Sequence, residues 1–130
     1  MAILKHHILR ITRDDWIRQV FEVRKYYSGM IPIKGWKVGS TVVFLGKVGK
    51  MDSVIGWGII EGIEKIDDMT VEEKTMCQEN GWKYAVRFGD LERLSTPKPL
   101  KETPLVKWDV KGRFFNGRTL TDEELETILS

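Results

Sequence analysis

The 130-residue chain has a single cysteine, two adjacent histidines and four prolines. One thiol cannot close an internal disulfide, and Cys77 with His6 and His7 does not make the Cys/His spacing of a structural zinc site. Neighbouring histidines on a strand point to opposite faces, so they make a poor metal pair. There is no run of 18 apolar residues, no basic and apolar leader, no repeat and no low-complexity tract. These absences exclude a membrane helix and a disulfide scaffold. They predict a cytoplasmic protein without a metal or other cofactor.

Catalytic signatures are missing as well. No G-x-S-x-G occurs, and nothing beside Cys77 would activate it, so it is expected to pack as a small hydrophobe on its helix. "GKVGKMDS" lacks Walker A spacing, and the glycines of "GWGIIEG" lie within a strand rather than at a strand-to-helix turn. The paired acids Asp14 with Asp15, Asp67 with Asp68 and Glu123 with Glu124 fall at helix starts, where the helix dipole accounts for them. A non-enzymatic protein is expected.

What is present is charge of uneven distribution. Residues 1–60 carry ten Lys or Arg against four Asp or Glu, a balance of +6, and residues 61–130 balance at −4, within a formal total of +2. Such an asymmetry suits a polyanionic partner, although dispersal over a solvated surface explains it equally well.

The pattern of elements indicates one domain over 1–130, since a chain of this length buries roughly two-thirds of the surface its unfolded form exposes. "HILRIT" (7–12) reads as a strand, and "TRDDWIRQVFEVRKYY" as a helix over about 14–25 with Trp16, Ile17, Val20 and Phe21 on its apolar stripe. "TVVFLG" (41–46) and "VIGWGIIEGIEKI" (54–66) are strands joined by a polar turn. In the second, Gly56, Gly58 and Gly62 alternate with Ile55, Trp57, Ile59 and Ile63, which predicts one bare face and one apolar face. A bare face signals bending, or close approach of another backbone or a ligand. Thr70 and Glu73 form a capping box for a helix at 71–79 stopped by Gly81, and "WKYAVRF" (82–88) is a strand. The proline-bearing 95–108 is expected to be extended or looped, with a strand at 104–108. A turn at Asn116–Gly117 leads to a last helix capped by Thr121 and Glu124. Short strands with few helices predict an α+β fold with a curled, mainly antiparallel sheet.

Five Trp and three Tyr are many for this length, and several sit beside Gly, Lys or Arg: "RKYY" (24–27), "KGWKVG" (34–39) and "IGWG" (55–58). Aromatics interleaved with cations suit base stacking combined with phosphate contact. Trp16 and Trp57 have core packing as an equal or stronger reading. Tyr26, Tyr27 and Trp36 stand in loop-like sequence and are expected to form a rim or cage.

Taken in order, "ILRITRDDWIRQVF", Tyr27, "WKVGSTVVFL", "VIGWGIIEGIEKI" and "PLKETPLVKWDVKGRFFNGRTLTDEELETIL" resemble the successive segments of EVE domains, members of the PUA-like superfamily. Ser40 stands where that family's turn usually has an Asp. The resemblance implies a mixed five- or six-stranded PUA-like barrel with flanking helices, and a cleft for a flipped, often modified, base of RNA or DNA. On it, Thr12 and Arg13 are expected to contact the base edge or phosphate, and Trp16, Tyr26, Tyr27, Trp36 and Trp57 to stack. Lys25, Lys34, Lys37, Lys47 and Lys50 are expected to contact phosphates. Some PUA-like relatives are enzymes acting on RNA or a small amide, which leaves a reacting Lys or Thr in the cleft as an alternative; a protein-interaction module is another.

Overall fold

A computed structural model describes residues 6–29, 36–49, 51–103 and 119–129. The expected strand at 104–108 and the turn at 116–117 lie outside the described residues. The elements are β1 (His6–Arg10), α1 (Asp14–Val23), β2 (Lys25–Ser28), β3 (Thr41–Val48), β4 (Met51–Lys65), α2 (Val71–Asn80), β5 (Tyr84–Pro99), β6 (Thr119–Leu120) and α3 (Asp122–Leu129). One sheet runs β2-β5-β4-β3-β1-β6. Among the described residues only the β1–β3 pair is parallel, and the other four pairings are antiparallel. The α+β, mainly antiparallel expectation is met.

Both N-caps form, and at α3 the box closes with the Thr121 amide donating to Glu124 Oε1 at 3.0 Å. The Glu73 amide donates to Thr70 Oγ1 at 3.2 Å and the Glu124 amide to Thr121 Oγ1 at 3.1 Å. Gly81, at φ 74°, ends α2 in the left-handed region. α1 opens without a side-chain cap, on two acids, and stops at Arg24 with φ 65°.

Three segments differ from expectation. Residues 25–28, expected as helix end and loop, form the edge strand β2, which pairs Lys25–Ser28 with Arg87–Tyr84. Four residues are too few to display alternation. β5 continues eleven residues past the predicted end at 88. Its pairing skips from Gly56↔Arg93 to Val54↔Lys98, so a bulge accommodates Leu94–Pro97 where Pro97 has no N–H to give the ladder.

The third difference concerns the two faces of β4. The bare side is the packed side: a Cβ on Gly56 would lie 2.7 Å from Phe21 Cζ, and one on Gly58 2.9 Å from Phe88 Cδ1. The close approach read from the glycines is that of core rings. The side expected to be buried is less so, with Trp57 and Ile59 half-buried and Ile63 exposed, while Ile55, expected on that side, sits in a bulge and is buried in the core with Phe44 and Phe88.

Hydrophobic side chains collect on both sheet faces. Ile17 and Val20 of α1 pack with Leu9, Phe44, Ile60 and Phe88 on one; Ile128 of α3 packs with Ile8, Val43, Val54 and Leu120 on the other. A third group joins Cys77 of α2 to Tyr27, Met69 and Ala85. The two histidines do face opposite ways. The Thr41 amide donates to His6 Nδ1 and His6 Nε2 meets Asp122 at 2.5 Å, whereas His7 stacks on Trp36.

Candidate functional site

The end of β2 and the end of α2 meet at an unusually close backbone contact. A Cβ on Gly29 would lie 2.6 Å from the Gly81 carbonyl oxygen, and the Lys83 amide donates to the Ser28 carbonyl at 2.9 Å. Beyond Gly81 the Trp82 amide turns back to the Cys77 carbonyl at 2.8 Å, a helix-terminating bond that fixes where Trp82 stands. Its ring is stacked on Tyr27 at 5.3 Å between centroids and meets Trp16 of α1 edge-on at 6.2 Å.

These rings surround a cleft of about 240 Å³ between α1 and the sheet edge, lined by Trp16, Gln19, Tyr26, Tyr27, Gly29 and Trp82 among others. Since β2 is the outermost strand on its side, the cleft passes along its edge and both successive tyrosines line it. At its rim the Arg13 guanidinium sits 4.6 Å over the Trp16 ring while bonding Asp15 through two nitrogens, at 3.1 and 2.7 Å. That hydrogen bond, opposed weakly by burial, holds the Asp15 carboxyl below its usual range.

Behind the cleft lies a charge network. The Tyr27 hydroxyl donates to Glu73 at 2.9 Å, and the Lys25 ammonium bridges Glu73 at 2.9 Å and Glu64 at 3.1 Å. Burial works against the Lys25 charge, but its two carboxylate partners prevail and its pKa is raised. Glu73 is lowered, first by Lys25. Tyr27 is raised well above the phenol range by burial and then by Glu73, and Tyr26 is raised by burial alone. Cys77 is buried and its thiol pushed up by that burial.

On the opposite flank of α1 a second cleft of about 300 Å³ gathers Arg18, Lys47 and Arg93 with the single acid Asp14. Positions 16 and 19 and positions 14 and 18 fall on different sides of a helix turning 3.6 residues per turn. Arg18 and Lys47 form no ion pair among the described residues.

Of the aromatic residues singled out in the sequence, the structure therefore brings together Trp16, Tyr26 and Tyr27. Trp36 is not at a rim: it is 6% exposed and stacked on His7 at 5.1 Å, inside the core. Trp57 is opposite Val43 and Glu92, on the sheet face that Val43 shares with α3, and does not line the cleft. Thr12 is exposed at the end of β1. Lys25, expected on phosphate, is instead held between two carboxylates. Lys37 is exposed, Lys47 lies in the basic cleft, and Lys34 and Lys50 lie outside the described residues. Trp82 was missed; its signal is a large aromatic directly after the helix-stopping Gly81. Among the described residues no group of three or more His, Cys, Asp or Glu side chains is placed to hold a metal ion, and no helix is long and apolar enough to cross a membrane.

No protein-family model matches this sequence, and no curated protein matches it. Solved structures do. ASCH from Zymomonas mobilis superposes with a TM-score of 0.63 at 11% identity, covering 94% of this chain and 92% of that one. A serine-to-alanine variant of the Zymomonas mobilis protein gives 0.64 at 12% identity over 99% and 97% of the two chains, and a tyrosine-to-phenylalanine variant gives 0.62 at 12% over 94% of each. At such low identity the likeness is one of fold. The expectation of a PUA-like fold is met at that level: among the described residues the chain has a curled, mostly antiparallel six-stranded sheet with three helices, as the ASCH structures do.

Proposed function

We propose that the chain is a non-enzymatic nucleic-acid-binding module of the EVE and ASCH kind, which takes a flipped, modified base of RNA or DNA into the Trp16–Tyr26–Tyr27–Trp82 cleft. The observation that carries this reading is the convergence of four aromatic side chains from α1, β2 and the end of α2 on one opening. Its 240 Å³ is below the roughly 300–1,000 Å³ of pockets for drug-sized ligands, which suits a single ring system. An extruded base is read by aromatic stacking and by hydrogen bonds to its edge, and the Gln19 amide offers both a donor and an acceptor there. Arg18, Lys47 and Arg93 across α1 suit the phosphates that follow.

An enzyme of the same fold would need a nucleophile or base. Lys25 is held protonated by Glu73 and Glu64, and the buried Cys77 thiol is pushed away from its anion. Both favour the binding reading over hydrolysis.

The test is binding of single-stranded and duplex RNA and DNA oligonucleotides, with and without modified bases, at several salt concentrations. The expected result is binding that falls steeply with salt and is tighter for a modified base. Failure of every oligonucleotide to bind at low salt would overturn the proposal, and salt-independent capture of a protein would replace it with an interaction module.

A further inference from the structure

Trp82 is a wall of two clefts. Past it, away from α1, lies a larger opening of about 460 Å³ between the Lys65–Asp67 turn, the end of α2 and the start of β5. Its lining includes Lys65, Asp67, Gln78, Trp82, Lys83 and Tyr84. The backbone holds this wall in place from three sides: the Ile66 amide donates to the Lys83 carbonyl at 3.0 Å, Lys83 to Ser28, and Trp82 to Cys77. Tyr84 is locked in register between Ser28 of β2 and Lys65 of β4. Lys65 and Lys83 are exposed and form no ion pair among the described residues.

We infer that this opening is a second nucleotide subsite, so that the protein binds two consecutive nucleotides of a single strand on either side of Trp82. The inference rests on the reading of the aromatic cleft as a base site and deepens it. The parts are those a nucleotide needs. Trp82 and Tyr84 supply aromatic surface for a base, the Gln78 amide supplies a donor and an acceptor for its edge, and Lys65 and Lys83 supply positive charge for its phosphate. Asp67, the one carboxylate of the six, can only accept hydrogen bonds when ionised and so favours a base edge that presents an amino group. Continuity through Trp82 selects a neighbouring nucleotide over an unrelated small molecule, because a strand leaving one cleft enters the other across a single side chain.

The test uses seven-nucleotide RNA probes that share one backbone and differ in bases: all positions abasic, one base only, or two adjacent bases. Phosphate number and salt are thus constant. In the native protein the first base is expected to tighten binding over the abasic strand, and the second to add a further gain of roughly 5- to 150-fold, the worth of one stacked base. Tyr84→Ala is expected to abolish the second gain and leave the first. Gln78→Ala, at an exposed position that faces the base edge, is expected to shrink the second gain and leave the first, and it serves where Tyr84→Ala does not fold; Lys65→Gln with Lys83→Gln is expected to weaken all three probes alike. Equal affinity of the one-base and two-base probes, or a second gain undiminished in the Gln78 variant, overturns the subsite while the aromatic cleft stands. A one-base probe no tighter than the abasic strand overturns the cleft reading itself, and the subsite with it.

Discussion

The Tyr27 ring lies 15° from parallel with Trp82 at 5.3 Å, and its hydroxyl donates to Glu73 at 2.9 Å. A side chain held at both ends, and only 5% exposed, belongs to the fold as much as to the cleft. Loop-like sequence around it suggests a ring that could be removed cheaply, and the edge strand β2 reverses that expectation. Tyr27→Ala is expected to cost about 3–5 kcal/mol by chemical denaturation, the range for deleting a buried aromatic. Tyr27→Phe keeps the stack and loses only a hydrogen bond to a charged group, about 1.5 kcal/mol. Equal losses in the two variants would show that the stack contributes nothing.

Gly56 faces Phe21 and the backbone of β5. A methyl there would meet Phe21 Cζ at 2.7 Å and the Glu92 carbonyl oxygen closer still. The ring can shift, but a strand carbonyl cannot move without breaking its ladder. Gly56→Ala is expected to destabilise by at least the roughly 1–3 kcal/mol of overpacking, read as a lower denaturation midpoint. Unchanged stability would mean that β5 is not held against β4 at this point.

Much of the architecture was legible because each signal was local and strong. Thr70 with Glu73 and Thr121 with Glu124 announce their helices through an N-cap hydroxyl that accepts the amide three residues on, and Gly81 announces a stop. The cleft was legible only in part, because it is made by tertiary contacts. Trp16 and the two tyrosines were marked by their basic neighbours, but Trp82 enters through the approach of Gly29 to Gly81, which no sequence period records. Trp36 misled for the converse reason: flanking glycine and lysines look like a surface loop, while the ring itself turns inward onto His7. On β4, alternation set Trp57 apart from the glycines but failed at Ile55, which a bulge turns into the core beside Phe44 and Phe88, and it did not tell which face was buried. That depended on Phe21 and Phe88 filling the space above the glycines.

Trp16 and Trp57 separate the two aromatic populations. Both are half-buried, but only Trp16 lines the cleft. Trp16→Ala is expected to weaken oligonucleotide binding by roughly 1–3 kcal/mol, the worth of a stacked base, measured by fluorescence anisotropy at fixed salt. Trp57→Ala is expected to lower thermal stability and leave that affinity unchanged. The opposite pattern would move the site to the face of β4 that carries Trp57.

The network behind Tyr27 sets a pH window for stability. Glu73 is lowered from its ordinary 4.5, first through Lys25, so its contribution is complete above that value and is lost as pH falls through the depressed folded value. Lys25 is raised above 10.5, and Tyr27 above 10.0. In both the folded state holds its proton more tightly than the unfolded chain, so their contribution is complete below about pH 10 and is lost as pH rises beyond it. Denaturation midpoints are therefore expected to form a plateau between about pH 5 and pH 10 with a falling limb on each side. Glu73→Gln is the discriminating variant. It removes the titrating carboxylate, so the acid limb becomes shallower, and it leaves Lys25 with Glu64 alone and Tyr27 with an uncharged partner, so the alkaline limb shrinks too. A variant whose two limbs match those of the native protein would show that other groups set the window, and that the Lys25–Glu73–Tyr27 contacts do not stabilise the wall of the cleft.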